Sequence, residues 1–129
     1  MDIIELTKKA VEVANQDTGL KERVKNTVVT ITMVLKNDEE QSLTISVDKG
    51  EIRFLEGGIE NPDFQFEISR EDFTNLMTGK AYGMILIATQ KLKMVKGSWA
   101  EINKIAVPLS TIPKFGKQIA EGRGTKDDG

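Results

Sequence analysis

Residues 63–97 read DFQFEISREDFTNLMTGKAYGMILIATQKLKMVKG, and the hydrophobic period changes twice along them. Phe64, Phe66 and Ile68 alternate with Gln65 and Glu67, the pattern of a strand with one apolar face. The period then lengthens. Ser69 is placed to cap a helix, with Asp72 at its third position in a weak capping box. Phe73, Leu76 and Met77 share one helical face, and Gly79 can close the end. Residues 81–89 are apolar all round, which reads as a buried helix; Ile85-Leu86-Ile87 also fits a strand. Period two returns where Leu92 and Met94 alternate with Lys91 and Lys93.

Working toward the N-terminus, three more alternating runs precede this stretch. Val29, Ile31, Met33 and Leu35 form one, Leu43, Ile45 and Val47 the next, Ile52 and Phe54 the third. That makes five strands in all. Their joins, Asn37 to Glu40, Asp48-Lys49-Gly50 and the longer Glu56-Gly57-Gly58 to Pro62, are turn-like, and short joins imply an antiparallel meander. Before them, Ile3, Leu6, Ala10 and Val13 lie near helical spacing, with Asp2 placed as the cap and an end around Asn15 to Gly19. Residues 20–25 can add a further helical turn or two.

Toward the C-terminus, Gly97-Ser98 opens a short helix through Trp99, Ile102 and Ile105, which Pro108 is expected to break. Thr111 to Ala120 reads as a last amphipathic helix, with Phe115 and Ile119 one turn apart. Two prolines, Pro108 and Pro113, bracket Leu109 to Ile112. The stretch is therefore expected to be a hinged cover and not one continuous helix, and deletion of residues 108–129 is expected to leave the five strands folded. Residues 1–121 are expected to make a single domain and residues 122–129 a flexible polar tail.

Composition narrows the chemistry. At 129 residues with 39% apolar and 29% charged residues, the chain has the balance of a globular domain. Its net charge of −2 gives no global basic field for nucleic acid. There is no cysteine, which removes disulfides, thiolate nucleophiles and thiolate metal sites. There is no histidine either, which removes the commonest general base and zinc ligand. The first ten residues mix acids with lysines, unlike a signal peptide, and no apolar run approaches the ~18 residues of a membrane span. A cytoplasmic location is the expectation, with no cofactor and no metal.

The polar candidates have simple structural readings. Gly57-Gly58 lacks a following Lys-Ser/Thr pair and reads as a turn. Glu71-Asp72 sits at a helix start, where acids suit the macrodipole. Lys91, Lys93 and Lys96 form a basic stripe that reads as a solvated face, or as an attractor for an anionic headgroup. The apolar inventory is more informative. Met33, Leu35, Phe64, Phe66, Leu92 and Met94 share a sheet face. Phe73, Leu76, Met77, Met84 and Ile85 come from the middle helices. Trp99, Ile102, Ile105, Leu109, Ile112 and Phe115 come from the C-terminal segment. Four of the five methionines fall in or between these groups, and methionine adapts to flexible apolar ligands. A filled core is the alternative reading of the same inventory.

This pattern resembles the sterol carrier protein type 2 family. Phe66, Ile68, Asp72, Phe73, Leu76, Met77, Gly79 and Lys80 match its strand and acid-capped helix. Lys91, Leu92, Lys93, Lys96 and Gly97 match its following strand, and Gln90 stands where the family usually has glycine. The order of elements fits over residues 1–121. The resemblance implies an α+β fold, with the five-stranded, mainly antiparallel sheet covered on one face by helices and a hydrophobic tunnel between. It also implies non-catalytic binding and transfer of fatty acyl chains, acyl-CoA or sterol-like lipids. The residues just grouped by element would line the tunnel, with the C-terminal segment as its lid and Trp99 near its wall. Partners would be a small hydrophobic ligand and at most a transient membrane contact, the protein being a monomer or homodimer. Two other readings stand beside it. One is a small isomerase or hydrolase using a buried carboxylate or Tyr82. The other is a ligand-free interaction module whose surplus apolar residues form a dimer or partner interface.

Overall fold

A computed structural model describes residues 2–36 and 41–122. The chain begins with helix α1 (Ile3–Ala14), whose first turn is closed by the Asp2 carboxylate accepting from the Ile4 N–H at 3.1 Å. A second cap, Asp17, accepts from the Leu20 N–H at 2.8 Å and starts the short α2 (Thr18–Arg23). Both carboxylates satisfy donors that a helix start leaves unpaired. Strands β1 (Val28–Lys36), β2 (Gln41–Asp48) and β3 (Glu51–Glu56) follow. β1 and β2 are antiparallel, with Ile31 opposite Ile45, and the expected join at residues 37–40 lies outside the described residues. β2 and β3 are joined at Lys49-Gly50, both with positive φ, as a primed hairpin turn requires.

The meander stops there. β4 (Phe64–Ser69) lies beside β1 and parallel to it, so the sheet order is β3-β2-β1-β4-β5, with β5 (Lys93–Lys96) antiparallel on the far edge. The expected meander is thus corrected at one connection. Residues 57–63 must cross β2 and β1 to carry the chain from one side of the sheet to the other. Gly57, at φ +84, donates its N–H to the Ser42 carbonyl at 2.9 Å. Beneath the crossing, Thr32 and Thr44 are buried and bond each other at 2.9 Å, and the Thr44 hydroxyl donates to the Gly57 carbonyl at 2.9 Å. The buried hydroxyls on this face therefore have partners.

Helix α3 (Arg70–Met77) starts where β4 ends, with the Ser69 hydroxyl accepting from the Asp72 N–H at 3.0 Å. Gly79, at φ +81, follows its end, where a left-handed residue commonly stops a helix. Helix α4 (Gly83–Ala88) buries Gly83, Leu86 and Ile87 but leaves Met84 and Ile85 exposed. Of the expected helix over residues 81–89, residues 83–88 are helical, yet only one side is covered. A helix apolar on all sides has no means of turning its spare face away from water when only one neighbour packs on it.

The C-terminal segment differs from expectation more sharply. A 3-10 turn (Trp99–Glu101) leads into one continuous helix, α5 (Asn103–Ala120), with Pro108 and Pro113 inside it. Each proline removes one backbone bond and costs about 3 kcal/mol in an isolated helix. Here Ile105, Pro108, Leu109, Ile112, Pro113 and Gly116 form one buried stripe. Burial of each of the three aliphatic side chains contributes roughly 1.5–3 kcal/mol, about 4.5–9 together, which offsets the ~6 kcal/mol local cost of the two prolines. α1, α3 and α5 cover one face of the sheet, and the core lies between that face and them. α5 is a layer of the core and not a detachable cover. No helix among the described residues is long and apolar enough to cross a membrane.

Candidate functional site

The sheet face under the helices is apolar because β1, β2 and β4 keep their alternation in register. Ile31 and Met33 on β1 point the same way as Ile45 on β2 and Phe64 and Phe66 on β4. Toward β4 the space is full. The Phe64 and Phe66 rings stack with centroids 6.1 Å apart and planes within 2°. Gly97 sits so close that a Cβ there would lie 2.5 Å from Phe64 Cδ2. Toward β1 and β2 the packing is less complete. Ile31, Met33 and Ile45 floor a cavity walled by Phe73, Leu76 and Met77 of α3 and by Pro108, Leu109, Ile112 and Pro113 of α5. Its volume is about 20 Å³, about what one water needs, and its lining holds no titratable side chain.

A second cavity, of about 90 Å³, opens between α4 and α5. Ala81, Tyr82, Gly83 and Met84 line one side, Ser110 and Pro113 the other. Leu76, Leu109 and Pro113 border both cavities, so these three side chains form the partition between mouth and interior. The backbone of α4 rests directly on the partition: a Cβ on Gly83 would lie 2.7 Å from Leu109 Cγ. One helix contact thus lies at the boundary between the two cavities.

The expected tunnel residues fall into four groups. Met33, Phe73, Leu76, Met77, Leu109 and Ile112 meet around the interior cavity, and Met84 stands at the mouth. Leu35, Phe64, Phe66, Leu92 and Ile105 are buried in the surrounding core without bordering either space. Met94, Ile102 and Phe115 are half-buried against it. Ile85 and Trp99 are exposed, Trp99 by 60%. The expectation that Trp99 stands at the cavity wall is therefore corrected: the 3-10 turn ahead of α5 turns it outward. Sequence reasoning missed Ile31, Ile45, Pro108 and Pro113 as lining of the interior cavity. Ile45 was findable as the antiparallel partner of Ile31, and the prolines by their helical spacing around Leu109 and Ile112.

No carboxylate borders either space, and the hydroxyls of Tyr82 and Ser110 border only the outer one. Asp63 is exposed and accepts from the Thr30 N–H at 2.9 Å. Glu67 faces Lys36 at 4.0 Å on the sheet's other side. Asp72 lies in the first turn of α3 and Tyr82 is exposed by 73%. Among the described residues no group of three or more Asp and Glu is placed to hold a metal ion.

A family model described as the SCP-2 sterol transfer family matches residues 8–109. The chain belongs to that family. Its members bind and transfer lipids, and the match runs from within α1 to the middle of α5. No curated protein sequence matches the chain. Several solved structures share the fold. A sterol carrier protein 2 crystal structure superposes with a TM-score of 0.71 at 13% identity, over 90% of this chain and 94% of that one. Sterol carrier protein 2 from Yarrowia lipolytica, in its apo form, gives 0.63 at 26% identity over 87% of each chain. Sterol carrier protein 2 from Aedes aegypti, solved in complex with the C16 fatty acid palmitate, gives 0.58 at 7% identity over 86% and 97%.

Proposed function

We propose that this protein is a non-catalytic cytoplasmic carrier that takes a fatty acyl chain, free or as acyl-CoA, or a sterol-like lipid, between the sheet and helices α3 and α5. The observation that carries the reading is the paired cavities. An interior space with a wholly apolar lining is parted by Leu76, Leu109 and Pro113 from an opening between α4 and α5. The palmitate held by the Aedes aegypti protein makes an acyl chain the leading ligand class. The interior lining also argues against the isomerase or hydrolase reading, since it holds no group that could move a proton, and Tyr82 borders only the exposed mouth.

The closed volume sets a condition on the mechanism. Ligand pockets for small molecules run roughly 300–1,000 Å³, far above the volumes of about 20 and 90 Å³ of these two cavities. Entry therefore requires Leu109 and α4 to move, with Met33 and Met77 reshaping around the chain. Burying sixteen methylenes gains on the order of 12 kcal/mol gross, at ~0.8 each. Association and the opening of the core offset much of this, leaving binding near the micromolar range. Such a pocket discriminates little between chains that differ by one methylene.

The test is solvent extraction of the purified protein followed by mass spectrometry, with titration by a fluorescent fatty acid displaced by palmitate. Saturable, displaceable binding is expected. A filled core with no saturable binding, together with a concentration-dependent dimer in size exclusion, is the outcome that favours the ligand-free interaction module instead.

A further inference from the structure

The surface around the mouth is unlike the rest of the molecule in two independent ways. The first is exposure. Seven large apolar side chains are exposed among the described residues, and five of them fall within residues 82–99: Tyr82, Met84, Ile85, Val95 and Trp99. Three belong to α4 or its cap, beside the opening, with Ile85 exposed by 58%. The second is charge. Residues 73–120 carry seven lysines and a single acid, Glu101, a balance of +6 in a chain whose total is −2. No acid occurs between Phe73 and Ala100.

These features meet at one place. Lys80 precedes the cap of α4, and Lys91 is held against the other end of α4 by its N–H bond to the Leu86 carbonyl at 2.9 Å. Lys114 follows Pro113 of the mouth, and Lys117 runs its alkyl chain over Gly79. All four are exposed, and none forms an ion pair among the described residues. Of the four, only Lys117 has an acid within four residues, Glu121, whereas on α1 Lys8 and Lys9, also without an ion pair among the described residues, each stand one turn from both Glu5 and Glu12. An apolar ridge ringed by unpaired lysines is complementary to an anionic bilayer: the ridge enters the acyl boundary while the cations meet the headgroups.

We propose that α4 and the neighbouring end of α5 dock the protein on anionic membrane surfaces, with Tyr82, Met84 and Ile85 inserted and the mouth facing the bilayer. The purpose of the docking rests on the carrier reading, because a mouth opened against lipid lets the chain pass without crossing water. The docking itself can be measured alone. Cosedimentation of the full chain is compared on vesicles of phosphatidylcholine and of phosphatidylcholine with roughly one-third phosphatidylserine. Binding is expected only to the second, and it should weaken as salt rises.

Each lysine near such a surface contributes about fivefold in partitioning. Lys80→Glu with Lys114→Glu should therefore weaken it ~25-fold or more, and Ile85→Asp roughly tenfold or more. Lys8→Glu with Lys9→Glu should change it little. Neither Ile85 nor these lysines line the cavities, so fluorescent fatty acid should bind the variants in free solution as it binds the parent, and circular dichroism checks their fold. Wild-type protein that ignores phosphatidylserine overturns the proposal, as does loss of docking in the α1 pair while the α4 variants still bind. Docking without any fatty-acid binding supports the surface and removes the carrier reading.

Discussion

Replacing Gly116 by alanine sets two physical effects against each other. Gly116 lies inside α5, where glycine costs about 1 kcal/mol relative to alanine, so helix propensity alone makes the variant more stable. The packing says the opposite. A Cβ at Gly116 would lie 2.2 Å from the Met77 carbonyl oxygen and 3.2 Å from both Met77 C and Met77 Cε. Ordinary carbon–oxygen contacts run ~3.3–3.6 Å, so α5 must withdraw from α3 by roughly 1 Å. The nearest obstacle is backbone and cannot rotate away. Overpacking of this kind costs ~1–3 kcal/mol and at times more, and the withdrawal also loosens Leu76, Met77 and Ile112 around the interior cavity. With the overpacking cost at the upper end of that range, because the obstacle is backbone, and less the ~1 kcal/mol of propensity, a net loss of about 2 kcal/mol is expected. In urea, with a slope of ~1–3 kcal/mol/M, the midpoint falls by roughly 1–2 M. Gln118→Ala, on the exposed side of the same helix, should move stability by less than ~0.5 kcal/mol. A Gly116→Ala protein as stable as the parent, or more so, would refute the close α3–α5 approach on which the closed cavity depends.

Four further outcomes follow from the same geometry. Leu109→Ala should cost about 2–4 kcal/mol yet join the two cavities, so stopped-flow uptake of a fluorescent fatty acid should quicken; unchanged uptake would show that the partition lies elsewhere. Gln90 holds φ +63, a conformation costing side-chain-bearing residues about 1–2 kcal/mol, so Gln90→Gly should raise stability by ~0.5–1 kcal/mol in thermal melts, and a loss would contradict this. Deleting residues 108–129 removes Leu109, Ile112 and Pro113 from the core and should abolish the cooperative melt in circular dichroism, not spare the strands. Glu51 accepts from Lys21 Nζ at 3.2 Å and from the Asn15 amide at 3.4 Å, which hold its carboxyl below the ordinary value of 4.5. With the folded value depressed, this contribution is present above the unfolded value and is lost as pH falls through the folded one. Carboxyl NMR should place Glu51 below free glutamate, and Lys21→Met should return it upward.

The stretch from Phe64 to Gly79 was legible because each local signal agrees with the next. Alternation sets the strand, the Ser69 hydroxyl caps the helix, and Gly79 takes the left-handed conformation that ends it. The Lys49-Gly50 hairpin was legible for the same reason. What failed were inferences that extended local rules to distant partners. The step from β3 to β4 looks like a turn, and only the pairing of β4 with β1 makes it a crossing. The prolines of α5 look like breaks, and only the buried stripe they share with Ile105, Leu109 and Ile112 keeps the helix whole. At the site, the strand phases singled out Met33 of the floor but not Ile31 or Ile45, and helix rotation decided the walls. Met77 turns inward while Ile85 and Trp99 turn out, and hydrophobicity alone does not distinguish them.

The central claim is that an acyl chain enters between the sheet and α5. A spin-labelled stearic acid, its nitroxide near the methyl end, tests this most directly when titrated into isotope-labelled protein. Paramagnetic broadening should be strongest at the Met33, Met77 and Ile112 methyl groups, should saturate with ligand, and should leave Val28 and Leu55 on the sheet's margins unaffected. Broadening confined to exposed methyls such as Ile85, or broadening that grows without saturation, would contradict an interior site.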